Sequence, residues 1–69
     1  MFMMWFDDNK KTPTAQKIEE AVAAYVRHFN GVRPNVVLVN EADAAAVVVG
    51  VEVRVSPTVR PCNYWVSLA

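Results

Sequence analysis

Residues 13–29 read PTAQKIEEAVAAYVRHF, and this stretch decides the fold because it alone has the clear pattern of an amphipathic helix. Its apolar side chains recur at spacings of three and four, which at about 100° per residue places them along one stripe. The stripe consists of Ala15, Ile18, Val22, Tyr25 and Phe29, flanked by Ala21 and Val26. We therefore expect a helix that buries this stripe against a sheet and exposes the opposite side, formed by Gln16, Glu20, Ala23 and Arg27.

Both ends of this helix carry recognisable signals. Thr12 is predicted to be the N-cap, with Pro13 as the first helical residue, because proline has the φ angle of a helix and no N–H to satisfy. Asn30 and Gly31 tolerate the left-handed backbone of a C-terminal cap, and basic side chains in the last turn complement the helix dipole. The helix is thus expected to end near Phe29.

The N-terminal segment, residues 2–6 (FMMWF), has the aromatic content of a strand. Side chains alternate between the two faces of a strand, so both faces of this one are apolar and both need cover. Phe2, Met4 and Phe6 share one face, and Met3 and Trp5 share the other.

Residues 36–39 (VVLV) form a continuous apolar run, which is typical of a strand buried on both sides near the centre of a sheet. A strand, a helix and a second strand in this order predict a crossover connection. We expect the first two strands to be parallel, either adjacent or separated by one strand.

The segment after the second strand is expected to hold a short helix and a third strand. Asn40 is a predicted N-cap, with Asp43 three residues later and alanines continuing to Ala46. The third strand is expected within residues 47–55, with Gly50 as a bulge or a point of close backbone approach.

The third and fourth strands are expected to form a hairpin. A fourth strand with alternating faces is expected from Cys62 or Asn63 to Leu68, and residues 56–61 contain two prolines that are typical of a loop. In this hypothesis Glu52 and Arg54 face outward on strand three, and Trp65 faces outward on strand four.

These elements predict a single α+β domain over residues 1–69, with two layers and the order β-α-β-(short α)-β-β. One amphipathic helix is expected to pack across a mixed four-stranded sheet. No stretch of the chain carries a residue pattern diagnostic of a known family.

The composition points to a partner rather than to a cofactor. A chain of 69 residues has room for one small core, and such domains usually need a disulfide, a metal or a partner. One cysteine and one histidine exclude an internal disulfide and argue against the usual zinc sites, so we expect no cofactor and no metal. The lone thiol and the absence of a signal-peptide or membrane-span pattern suggest a cytoplasmic protein.

No catalytic residue is predicted. His28 is expected to interact with the end of the helix, Cys62 to act as a small apolar residue, and the carboxylates to serve in turns and caps. An enzyme subunit with a site shared between chains, around His28 or Cys62, remains an alternative.

A second alternative is single-stranded nucleic-acid binding on the outer hairpin face, by stacking and phosphate contacts. The candidate contacts are Arg54, Arg60 and Trp65. Seven basic residues balance seven acidic ones, so no overall field attracts nucleic acid or membrane.

The favoured hypothesis is a small, non-catalytic binding or assembly module that forms a homo-oligomer, most simply a dimer. One helix covers one side of a sheet, so the other apolar side is expected to meet a second copy. The candidate interface residues are Met3, Trp5, Val37 and Trp65. No small-molecule ligand is identified by the sequence.

Overall fold

The computed structural model describes residues 2–69, and it has one helix packed across one face of a four-stranded sheet. This arrangement confirms the predicted α+β class. The strands are β1 Phe2–Phe6, β2 Val36–Val39, β3 Glu52–Val55 and β4 Asn63–Ser67; the α-helix is α1 Thr14–His28, and a 3-10 turn spans Glu41–Asp43.

The strand order in the sheet is β1-β4-β2-β3. β4 pairs antiparallel with β1 on one side and with β2 on the other. β1 and β2 therefore run parallel with β4 between them, as the crossover through α1 predicted. The continuous apolar run of β2 occupies an interior position, also as predicted.

The predicted hairpin of β3 and β4 is wrong. β3 pairs parallel with β2, on the edge of β2 opposite to β4. A hairpin would have left β2 with an unpaired edge, whereas the observed order gives this apolar strand two neighbours. Asn35 joins both neighbours just before β2 begins, since its N–H donates to the Ser67 carbonyl (3.0 Å) and its carbonyl accepts from the Glu52 N–H (2.9 Å).

The loop of residues 56–62 crosses the end of β2 instead of making a tight turn. The Ser56 N–H donates to the Val39 carbonyl (2.9 Å), and the Asn40 side-chain amide donates to the Val59 carbonyl (3.0 Å). Val59 is 1% exposed, so the loop adds a buried side chain that its two prolines did not predict.

Helix α1 begins one residue later than expected. Pro13, with extended backbone (φ −60°, ψ 147°), occupies the N-cap position and offers no side-chain hydrogen bond. Thr12 lies one residue before the cap, in the preceding turn, where its N–H donates to the Asn9 carbonyl (3.2 Å). The C-terminal prediction is confirmed: Asn30 and Gly31 have φ angles of 54° and 90°.

The core lies between α1 and the sheet, and the predicted phase of the helix is confirmed. The predicted outer residues of α1 are all exposed. Lys17 is buried as well, which the apolar pattern did not predict. The central cluster contains Ile18, Ala21, Val22, Tyr25, Val37, Val39, Tyr64 and Val66.

Between β2 and β3 the structure is more irregular than expected. Asn40 does act as a cap, since its side-chain oxygen accepts from the Ala42 N–H (3.0 Å), but only a single 3-10 turn follows. Gly50 is not a bulge within a strand. It has a φ of 83° and lies in a turn that an isolated bridge between Val48 and Val51 closes, so β3 begins only at Glu52.

Candidate functional site on the open sheet face

Helix α1 covers one face of the sheet, and we call the other face the open face. The alternation of each strand and the registers of the three pairings define its members. They are Phe2, Met4 and Phe6 of β1, Asn63, Trp65 and Ser67 of β4, Val36 and Leu38 of β2, and Glu52 and Arg54 of β3.

Two cross-strand rows organise the open face. The central row runs from Met4 through Trp65 and Leu38 to Arg54, each residue lying opposite the next in register. A parallel row runs Phe2, Ser67, Val36, Glu52. Both rows change from apolar at the β1 edge to charged at the β3 edge.

The β1 side of the open face is apolar and exposed. Phe2 and Met4 are each 59% exposed and Phe6 is 63% exposed, values that are high for large apolar side chains on adjacent positions of one strand face. The ring of Phe2 stacks on that of Trp65, with ring centroids 5.8 Å apart and planes 23° from parallel. These side chains form one contiguous apolar surface rather than scattered exposed residues.

Trp65 separates two shallow hollows in this surface. One hollow, of about 240 Å³, is lined by Phe2, Leu38, Trp65 and Ser67. The other, of about 220 Å³, lies between Met4 and Trp65 on one side and the loop residues Thr58 and Arg60 on the other. The indole therefore has a hollow on each side.

The β3 edge of the open face carries a neutral ion pair. The Arg54 guanidinium donates two hydrogen bonds to the Glu52 carboxylate, Nε to Oε2 at 2.6 Å and Nη2 to Oε1 at 3.0 Å. These hydrogen bonds lower the pKa of Glu52 and raise the pKa of Arg54. The pair is the one salt bridge between residues 2 and 69, and it leaves the open face without a dominant charge there.

The four predicted interface residues do not lie on the same face of the sheet. Trp65 lies on the open face, as expected. Val37 is fully buried in the core, and Met3 and Trp5 pack against the same core. The sequence showed that both faces of β1 are apolar, but it did not show which face the helix covers; the exposed apolar residues of β1 are Phe2, Met4 and Phe6.

The three predicted nucleic-acid contacts lie on or beside the open face, but Arg54 and Trp65 are two strands apart rather than on paired strands, and their charges are unequal. Leu38 lies between Arg54 and Trp65 in the central row, and Arg60 borders the hollow beside Trp65. Because Arg54 is paired with Glu52, only Arg60 offers an unpaired cation beside the indole among the described residues.

A second group of polar side chains lies on the helix-covered face, around Tyr64. Tyr64 is completely buried, and its hydroxyl has no hydrogen-bond partner within 3.5 Å among residues 2–69. Burial raises the pKa of this hydroxyl to about 12, and Asp43 adds to the effect through its negative charge and through a weak side-chain hydrogen bond outside the ordinary geometry. Asp43 itself accepts a hydrogen bond from the Thr14 hydroxyl (3.0 Å) and so ties the 3-10 turn to the start of α1. This group therefore has the character of a structural cluster.

His28 and Cys62 lie apart from these groups. His28 is exposed in the last turn of α1, where its ring meets that of Phe29 edge-on with centroids 4.7 Å apart. Cys62 is a half-buried free cysteine in the turn before β4, with a left-handed φ of 67° and a carbonyl that accepts from the Asp7 N–H (3.0 Å). Within residues 2–69 no three His, Cys, Asp or Glu side chains are grouped closely enough to hold a metal ion.

Comparisons with protein families, with curated proteins and with solved structures found no match to this chain. In the part of the chain that the structure describes, no helix is both long enough and apolar enough to cross a membrane.

Proposed function

We propose that the protein is a non-catalytic assembly module that forms a homodimer through the open face. The observation that carries this proposal is the exposure of Phe2, Met4 and Phe6, each about 60%, beside Trp65 on the face that α1 leaves uncovered. Soluble monomers rarely expose a contiguous apolar surface of this kind unless it binds something.

A second copy suits this face because the face is complementary to itself. In a twofold contact residue i of one copy meets residue j of the other and j meets i. An axis that runs across the strands therefore places the apolar β1 side of one copy on the β1 side of the other, and the neutral β3 edges on each other. The neutral Glu52–Arg54 pair and the equal numbers of acidic and basic residues support this pairing. The half-buried Trp65 and its flanking hollows also offer a place for exposed apolar side chains of the other copy, such as Phe2 and Met4.

The dimensions of the face predict a weak dimer. Four strands about 4.8 Å apart and about five residues long give a plane of about 300 Å², and side-chain relief and the loop beside Arg60 enlarge it. A standard interface uses about 800 Å² per partner, so this face falls at the small end of stable interfaces. We therefore propose a dissociation constant in the micromolar range.

The test is the mass in solution of the wild type and two variants at high micromolar concentration. Trp65→Glu places a charge at the centre of the face and is expected to give a monomer with an unchanged far-UV circular dichroism spectrum. Gln16→Glu adds the same charge to the exposed side of α1 and is expected to remain a dimer. Equal masses for all three proteins by light scattering would contradict the proposal.

The alternatives predict different results in the same samples. A nucleic-acid-binding sheet would bind a single-stranded oligonucleotide in a salt-dependent way and lose that binding on Arg60→Gln. A catalytic site shared between chains receives no support from the open face, because His28 lies on α1 in the other layer.

We also propose a cytoplasmic location. A single, half-buried cysteine without a disulfide fits a reducing compartment. Recovery of the tagged chain in a membrane or secreted fraction after cell fractionation would contradict this location.

A further inference from the structure

A groove lies on a different surface, between α1 and the turn that precedes β3. It has a volume of about 570 Å³, within the range of small-molecule sites. Its apolar walls come from Val22 and Val26 of the helix and from Val48 and Val51 of the turn, and we call it the valine groove.

The turn adds further apolar surface at the rim of the valine groove. Val47 is 84% exposed and Val49 is 96% exposed, and both line the groove. Gly50 holds this turn in place with a positive φ. Branched side chains that stand almost fully in water gain most when an apolar ligand covers them.

One end of the valine groove is cationic. Arg27 and Arg33 both line it, and neither has an ion pair among residues 2–69. The helix itself offers Arg27 no acidic neighbour, because the residues three and four positions away are alanine, asparagine and glycine. Glu19, the one acidic residue at the groove, lies eight residues earlier on α1 or about 12 Å along the axis, beyond the screening length of about 8 Å at physiological salt.

We propose that the valine groove binds a medium-chain aliphatic carboxylate, with its tail between the valines and its carboxylate at Arg27 and Arg33. Guanidinium groups match a carboxylate with paired hydrogen bonds, and the wall that runs from Arg27 toward Glu19 has the length of a short alkyl chain. A peptide would bring backbone N–H and C=O groups against valine walls that offer few partners. A nucleotide would lack an aromatic wall for its base, since no aromatic residue lines the groove.

The test is a titration with sodium octanoate, followed by the methyl signals of the protein in NMR spectra. Saturable shifts are expected at Val22, Val26, Val48 and Val51, whereas octanol, with the same tail and no charge, is expected to bind at least about tenfold more weakly.

Variants locate the carboxylate. Arg27→Gln and Arg33→Gln are each expected to weaken octanoate binding by about tenfold or more. Arg60→Gln removes an exposed arginine outside the valine groove and is expected to leave binding unchanged. All three positions are exposed, so the variants are expected to fold as the wild type does.

Three results would overturn the inference. Octanoate that shifts no groove methyl at millimolar concentration, or that binds no better than octanol, would remove the carboxylate site. Binding of a short peptide with a C-terminal leucine, where octanoate fails, would reassign the groove to a peptide. None of these results bears on the dimer, because the valine groove and the open face lie on different sides of the fold.

Discussion

Replacing Tyr64 with phenylalanine is expected to stabilise the protein, a direction opposite to that of most core substitutions. The Tyr64 hydroxyl is fully buried, and its partner among the described residues is a weak interaction with Asp43 outside ordinary hydrogen-bond geometry. A desolvated, unpaired polar group is unfavourable by about 1–3 kcal/mol, while loss of one oxygen leaves only a small void. We expect a net gain of about 1 kcal/mol, a substantial share of the 3–10 kcal/mol total that is typical at about this length.

The same variant tests the raised pKa of Tyr64. An unfolded chain releases this proton near pH 10, whereas the folded chain holds it to about pH 12. Between pH 10 and 12 the unfolded chain loses this proton while the folded chain keeps it, which favours unfolding. The contribution of Tyr64 to the free energy of unfolding is therefore complete below pH 10 and is lost as the pH rises toward 12. The loss is at most about 3 kcal/mol, since one pKa unit corresponds to 1.36 kcal/mol.

Urea denaturation of the wild type and Tyr64→Phe at pH 7 and at several points between pH 9 and 12 measures both effects. The variant is expected to have the higher unfolding midpoint and the shallower alkaline decline. A variant destabilised by more than about 1 kcal/mol would show that the hydroxyl donates a hydrogen bond in the folded protein, with Asp43 as the nearby acceptor. Equal alkaline slopes would show that its pKa is not raised.

Other substitutions test the core and the expected absence of a metal. Ile18→Ala is expected to lower the free energy of unfolding by about 2–4 kcal/mol through lost burial and a residual cavity, whereas Arg27→Ala, on the exposed side of α1, is expected to be near neutral. Equal losses in denaturant melts would mean that the helix faces the sheet differently. Cys62→Ser is expected to keep the fold, and elemental analysis of the purified protein is expected to find no stoichiometric zinc or iron. Metal at one ion per one or two chains would instead indicate a site completed by a partner.

The helix was predictable because its signals are local. The spacing of Ile18, Val22 and Tyr25 fixed the buried side, and Asn30 with Gly31 fixed the end. Only the start differs, by one residue: Pro13 is the cap, and Thr12 belongs to a turn with Asn9 that the apolar pattern does not contain.

Strand pairing was harder to predict. The alternation of apolar and polar residues along a strand indicates which face a side chain occupies, but it does not indicate which strand is the neighbour. Glu52 and Arg54 were correctly assigned to one face, but their neighbour is β2 and not β4. The observed arrangement includes hydrogen bonds of Asn35 and Asn40 to distant segments, which no short stretch of sequence specifies.

The candidate site was half predictable for the same reason. The sequence indicated two apolar faces on β1 and an outward Trp65, and both are present. It could not say whether Phe2 or Met3 lies under the helix, because that depends on the position of β1 at the sheet edge beside β4. The valine groove was missed because Gly50 turns a run of valines, which resembled a strand, back toward α1.

The central claim, a homodimer through the open face, is tested most directly by sedimentation velocity of the wild-type protein over a range from low to high micromolar concentration. The chain has a mass of 7.7 kDa, and we expect the weight-average mass to rise with concentration toward twice that value. A mass that stays at 7.7 kDa at the highest concentration would contradict the proposed assembly.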